Sequence, residues 1–292
     1  MKKIYCLILF VFINSSFAKS FDTRPEVQQF IVTMVKKHNF EKNQLELLFN
    51  KYDTNQEVLQ KIANPTEKLS WGQYKKLLIS NERINKGKVF LKEHNKALLK
   101  AEKQFGVPKE LITAILGVES FYGEVVGRFS VLQALATLAF DYPPREKFFR
   151  SELENFLLLI KEEKLNPHTI TGSYAGAMSP AQFISSSYRA YAIDFANAGT
   201  KDLNNMHNAI GSIANYFHKH GWQSQGKIAV KTKQNNPINL PKQTALLEFV
   251  GENNNKEYWL GFNNFTVITK YNNSNNYAMA VYQLAQELGL EG

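Results

Sequence analysis

Glu119 lies in the stretch 111–123, LITAILGVESFYG, eight residues after Leu111 and four after Ile115. On a helix it shares the apolar stripe of Leu111, Ile112, Ile115 and Leu116. Pro108 suits the first helical turn there, and Gly123 the position just past the last. A carboxylate so placed is desolvated and close to the negative end of the helix dipole, and both effects favour the neutral acid. A carboxyl group that keeps its proton near neutrality can protonate a leaving oxygen as a general acid. By itself the helix leaves a second reading open, a glutamate that leans to the rim or pairs with an arginine. Asp141, Glu146 and Glu152 follow in sequence and read as surface or ion-pair residues. The six histidines show no HExxH spacing. His218 and His220, two apart at a helix end, read as surface groups, and neither a GxSxG elbow nor a phosphate-binding glycine loop is present. Metal-dependent and serine-nucleophile chemistries are therefore not expected, and no cofactor is called for.

The elements that must position Glu119 belong to a chain of 292 residues, 44% hydrophobic, enough for one large domain or two modest ones. Residues 1–18, MKKIYCLILFVFINSSFA, read as a secretory signal, with Lys2 and Lys3, an apolar run, and Ser16 and Ala18 at the −3 and −1 positions of a cut. The run is too short for a good transmembrane helix. Cys6, the single cysteine, falls inside it and comes too early for a lipoprotein box. A mature chain from Lys19 then has no disulfide, no integral membrane span and a periplasmic address. The formal net charge is +9, and +7 without Lys2 and Lys3, with 33 basic against 26 acidic residues. That balance suits an anionic polymer or a membrane surface. No nucleic-acid motif accompanies it.

Periodicity makes 22–62 helical and 81–104 one long amphipathic helix, with further helices over 151–163, 185–197, 209–218 and 277–288. Between 226 and 272 the pattern changes to short β-like runs, KIAVKTK, ALLEFV, EYWLGF and FTVITKY, separated by Asn- and Pro-rich turns. The expectation is a mainly α chain with a small β-rich subdomain: an N-terminal helical region over 19–104, a helical catalytic core over 105–225, the β-rich subdomain over 226–276, and a last helix over 277–292 packing back on the core.

Beyond ESFYG, the segments FDYPPREKFFRSELE, GSYAGAMSPAQF and KYNNSNNYAMAVYQLAQEL are long and distinctive. With them the chain resembles the lytic murein transglycosylase B family, from about residue 70 to 287. The resemblance implies a lysozyme-like helical catalytic lobe, peptidoglycan glycan strands as substrate, a monomer, and Glu119 as sole acid and base. Two flanking carboxylates, usual in glycosidases, would then not be needed. The single glutamate would protonate the glycosidic oxygen between N-acetylmuramic acid and N-acetylglucosamine, then take the proton of the C6 hydroxyl as a 1,6-anhydro ring closes. Ser173 matches a family serine that hydrogen-bonds the catalytic carboxylate and the sugar; read alone it is a turn residue beside Gly172. Gln182 matches an amide that holds substrate, in what reads as the first turn of a helix after Ser179-Pro180. Tyr74, Tyr216, Tyr271 and Tyr277 match aromatics of the glycan groove, and Asn272 a groove amide. Such rings and amides suit sugar faces and N-acetyl groups; each tyrosine alone would read as ordinary packing.

The chain also departs from the family pattern. After Tyr142-Pro143 it has Pro144-Arg145 where an arginine pair is common, so Arg145 alone remains for the anionic part of the substrate. Ser179-Pro180-Ala181 replaces a glycine- and aromatic-bearing stretch. An EF-hand-like calcium loop found in relatives needs oxygen side chains at positions 1, 3, 5 and 12, but here the run DFANAGTKDLNN, from Asp194, has Ala196 and Ala198 at positions 3 and 5. No metal is expected. Two rival functions stay open at this stage, a hydrolytic muramidase and a catalytically silent peptidoglycan-binding or scaffolding protein.

Overall fold

In a computed structural model, residues 20–63, 69–233, 244–251 and 254–291 are described. The signal reading, with Cys6, concerns residues outside these. Among the described residues no helix is long and apolar enough to cross a membrane. The chain forms two compact units that divide between Thr54 and Asn55.

In the first unit α1 (Pro25–His38) and α2 (Lys42–Asn50) form a helical hairpin. Pro25 opens α1, and Asn39 ends it in the left-handed region at φ 54°, a position asparagine tolerates better than most residues. Val27, Phe30, Ile31, Met34, Leu45 and Phe49 are buried, and the Phe30 and Phe49 rings meet edge-on at 6.3 Å.

The second unit carries eleven helices among its described residues: α3 (Gln56–Ala63), α4 (Trp71–Leu78), α5 (Asn81–Glu93), α6 (Asn95–Phe105), α7 (Lys109–Ser120), α8 (Val131–Asp141), α9 (Glu146–Glu162), α10 (Ser185–Tyr191), α11 (Met206–Lys219), α12 (Asn263–Tyr271) and α13 (Asn275–Glu287). The core is built around α7, whose Leu111, Ile112, Ala114, Ile115 and Leu116 are all fully buried. Helices α5, α6, α11 and α13 surround it. A two-residue ribbon pairs β1 (Phe129–Ser130) with β2 (Thr171–Gly172) beside α8. A three-stranded antiparallel sheet has the order β3 (Ala229–Thr232), β5 (Lys256–Gly261), β4 (Ala245–Val250), with Val230 opposite Leu260 and Leu247 opposite Trp259. Phe249 of this sheet packs on Trp71 of α4, ring centroids 5.2 Å apart. The mainly α architecture with a small antiparallel sheet is the expected one.

Several local expectations are corrected. FTVITKY is not a strand but lies in α12, where Asn264, Phe265, Val267 and Ile268 are buried. Its β-branched run favours strand locally, and packing against α13 and β5 overrides that preference. The helix expected over 81–104 breaks at His94, whose ring sits 4.3 Å from Phe90. The helix expected over 185–197 stops at Tyr191. Pro108 is the residue before α7 and not in its first turn, and α7 ends at Ser120, short of the end expected just before Gly123. Glu152 is no surface group: it is 4% exposed and accepts from the Ser186 amide of α10 at 3.0 Å. His220 stacks on Tyr216 at 4.0 Å, so it is only half-exposed.

Candidate active site

The polar groups around Glu119 converge from three parts of the second unit: the end of α7, the loop 172–183, and the pair α12–α13. Glu119 is the penultimate residue of α7. Beyond it Phe121, Tyr122 and Gly123 all take left-handed backbone, at φ 50°, 63° and 93°. For the two that are not glycine this costs about 1–2 kcal/mol each, so surrounding contacts must hold them. The turn stops α7 one residue after Glu119, and the carboxyl is left half-buried.

Tyr277 lies in the first turn of α13, whose N-cap Ser274 accepts from its amide. Its hydroxyl donates to Glu119 Oε1 at 2.6 Å. Burial pushes the Glu119 carboxyl up to about 7, partly offset by the Tyr277 hydrogen bond, which favours the ionised form. Tyr271 and Tyr277 are held well above the ordinary phenol value, first by burial and then by the negative charge of Glu119. They therefore stay protonated and act as donors. Among the described residues Tyr277 is the carboxyl's one hydrogen-bond partner, and it engages Oε1.

The loop GSYAGAMSPAQF is a succession of tight turns. Ser173 donates its amide to Ala177 O at 2.8 Å, Met178 donates its amide to Phe183 O at 2.9 Å, and Ser179 and Gln182 have left-handed backbone. Three side chains fix its path by hydrogen bonds to main-chain carbonyls. Ser120 donates to Pro180 O at 2.8 Å, Tyr271 donates to Ala181 O at 2.6 Å, and Gln182 reaches Val126 O at 3.1 Å. Gln182 is thus in a turn and not, as expected, in the first turn of a helix. Tyr216 of α11 donates to Lys270 O at 2.5 Å, and its ring lies 4.9 Å from Tyr271 and 5.7 Å from Phe183.

Of the residues singled out from the sequence, Glu119, Tyr277, Tyr271 and Tyr216 form one continuous cluster. Tyr74, buried on α4, is close enough to add to the electrostatic field at Tyr277. Ser173 accepts from the Ala175 and Ala177 amides at 3.3 and 3.0 Å, which is turn chemistry; no described contact joins it to Glu119. Asn272 follows α12 directly, with its carbonyl accepting from the Ser274 amide at 2.7 Å. Arg145 is exposed on the turn before α9, over the rings of Phe148 and Phe149 at 4.3 and 5.2 Å, and no described contact links it to the cluster. The anchoring work of Ser120 went unread from the sequence, although a serine directly after the glutamate in ESFYG was the available signal.

In the loop that begins at Asp194, both carboxylate oxygens accept from backbone amides, Oδ1 from Ala198 at 2.8 Å and Oδ2 from Gly199 at 2.7 Å. Asn205 accepts from the His207 amide and caps α11. Its oxygens are already engaged and two positions are alanine, so this donor set does not fit a calcium ion.

The family model described as Transglycosylase SLT domain matches residues 22–286. The membrane-bound lytic murein transglycosylase B of Escherichia coli (strain K12) is 38% identical over 306 residues, spanning 92% of this chain and 84% of that protein. Among solved structures, the catenated lytic transglycosylase SltB1 from Pseudomonas aeruginosa superposes with a TM-score of 0.86 at 39% identity, over 92% of this chain and 98% of that one. The Escherichia coli lytic transglycosylase Slt35 in complex with calcium gives 0.83 at 39% identity, over 90% and 92%. By the family match and by the relatives that share its fold, the chain belongs to the lytic transglycosylases of the SLT-domain family.

Proposed function

We propose that the chain cleaves the β-1,4 bond between N-acetylmuramic acid and N-acetylglucosamine in peptidoglycan and leaves 1,6-anhydromuramoyl ends. The observation that carries the residue assignment is the Glu119 carboxyl, raised to about 7 and held through Oε1 by Tyr277 at 2.6 Å. Glu119 starts as the acid. Its proton passes to the glycosidic oxygen as the bond to the muramoyl C1 breaks. The carboxylate then takes the proton from the C6 hydroxyl of the same sugar as that oxygen bonds to C1. The glutamate ends protonated, no water is consumed, and a donor that never ionises near neutrality steadies both charge states.

Tyr74, Tyr216, Tyr271, Tyr277, Gln182 and Asn272 line the glycan path in this reading, Ser173 shapes the loop beside it, and Arg145 meets the anionic part of the substrate further out. Export to the periplasm and action as a monomer without a bound metal complete it. The deciding experiment is mass spectrometry of muropeptides released from purified sacculi by the protein and by Glu119→Gln. Anhydro products from the first and none from the second are expected. Reducing muramic ends would make the enzyme a hydrolytic muramidase, and sacculus binding without products from either protein would make it a binding protein.

A further inference from the structure

Behind Glu119 the left-handed turn is held by a set of contacts that the reaction itself does not use. The Tyr122 ring is 6% exposed and fills a slot that exists only because two facing helix positions lack a side chain. A Cβ at Gly117 of α7 would meet the Tyr122 hydroxyl at 2.7 Å, and a Cβ at Gly87 of α5 would collide with the same oxygen. From that slot the hydroxyl donates to the Arg83 carbonyl of α5 at 2.8 Å. The Arg83 guanidinium returns the contact. Nε donates to Gly117 O at 2.9 Å, in the turn of α7 that carries Glu119, and Nη1 donates to Leu77 O at the end of α4 at 2.6 Å. Its face lies over the Phe121 ring at 5.0 Å, and the Lys86 ammonium approaches that ring at the same distance. The Tyr122 amide meanwhile accepts the duty of closing α7, donating to Leu116 O at 3.0 Å.

We propose that Tyr122 and Arg83 are positioning residues for Glu119, a clasp that holds the last turn of α7 and so sets the carboxyl against Tyr277. Neither side chain touches the carboxyl among the described contacts; both act on the backbone on either side of it. Left-handed Phe121 and Tyr122 persist only where the surroundings over-determine them. Without the clasp the chain relaxes toward ordinary helix at 121–122, which rotates the helix end and carries Glu119 off the Tyr277 hydroxyl. Misplacement of this kind affects turnover more than substrate binding.

The proposal rests on Glu119 being the acid, and its test separates the two. Tyr122→Phe keeps the ring in its slot and removes only the hydroxyl. On soluble glycan strands kcat should fall about tenfold with KM nearly unchanged, and in a Tyr277→Phe background the same change should cost less than about threefold, because the contact being protected is already gone. Equal losses in the two backgrounds overturn the clasp. Arg83→Lys, which keeps the charge and loses the planar fork, carries the same expectation should Tyr122→Phe fail to unfold cooperatively. A second readout needs no turnover: the pH midpoint of the difference in Tm between the protein and Glu119→Gln. In the Tyr122→Phe background it should move to higher pH, since the donor that favours the ionised carboxyl is lost. An unmoved midpoint sinks the clasp even if the protein releases no anhydro products, an outcome that would sink only the assigned reaction.

Discussion

Glu119 on α7 and Glu152 on α9 both sit on helices whose neighbouring turns are apolar and buried, yet their surroundings give them different work. Glu152 faces the start of another helix. Its Oε2 accepts from the Ser186 amide, which ties it to the first turn of α10. Glu119 sits at the end of its own helix, where the dipole opposes the anion, and its partner is a single phenol. One carboxylate is committed as a cap, while the other keeps its proton within reach of neutral pH. Burial alone does not decide what a glutamate does; the kind of donor it faces matters as well.

The sharpest way to break the comparison is to neutralise each glutamate. Glu119→Gln should lower turnover by about 10²–10⁴-fold, the scale of a general acid, with no loss of cooperative unfolding. Its stability should also respond to pH with a definite sign. The Glu119 carboxyl is raised in the folded protein, so it favours folding below its ordinary range and that contribution is lost as pH rises toward about 7. Wild type should therefore lose Tm relative to Glu119→Gln as pH rises through that window, and a constant difference would show that Glu119 is not held neutral. Next in size, Tyr277→Phe should lower kcat several-fold and move the alkaline limb of the activity profile to higher pH, because a hydrogen bond that lowers the Glu119 value is removed. A limb that moves down would mean Tyr277 mainly excludes water. Glu152→Ala should cost about 1–3 kcal/mol in chemical denaturation, the penalty of an unpaired buried amide, and leave kcat unaltered. The smallest effect is expected at Asp194: neither calcium nor a chelator should move Tm, whereas a bound ion would raise it with concentration.

The sequence was informative where chemistry is local and silent where it depends on direction. Glu119 could be found because its spacing from Leu111 and Ile115 places it on an apolar stripe, and the family segments carry Tyr271 and Tyr277 to the same region. That Tyr277 points its hydroxyl at Glu119, across 158 residues of chain, is a property of how α13 packs on α7. The helix was expected to run up to Gly123 because glycine is the usual signal for left-handed backbone, whereas here Phe121 and Tyr122 adopt it first. Glu152 was misread for a related reason: its partner is a backbone amide, which leaves no trace in residue type. In α12 the β-branched residues pointed to strand, and only the tertiary neighbours reversed that preference.

The loop 172–183 has a consequence for how such a protein can change over evolutionary time. Its path near Glu119 is set by side chains of other segments that grip its carbonyl oxygens, Ser120 on Pro180 and Tyr271 on Ala181. A carbonyl is common to every residue, so these grips do not register which side chain the loop carries. They hold the backbone beside Glu119 whatever the residue type, and what limits the side chains at 180 and 181 is their burial, with Ala181 fully enclosed. A second constraint falls on Ser179 and Gln182, whose positive φ disfavours β-branched residues. Tolerance at this loop is thus set by space and backbone conformation within it, while the hydroxyls that hold its course lie about 60 and 90 residues away in the chain.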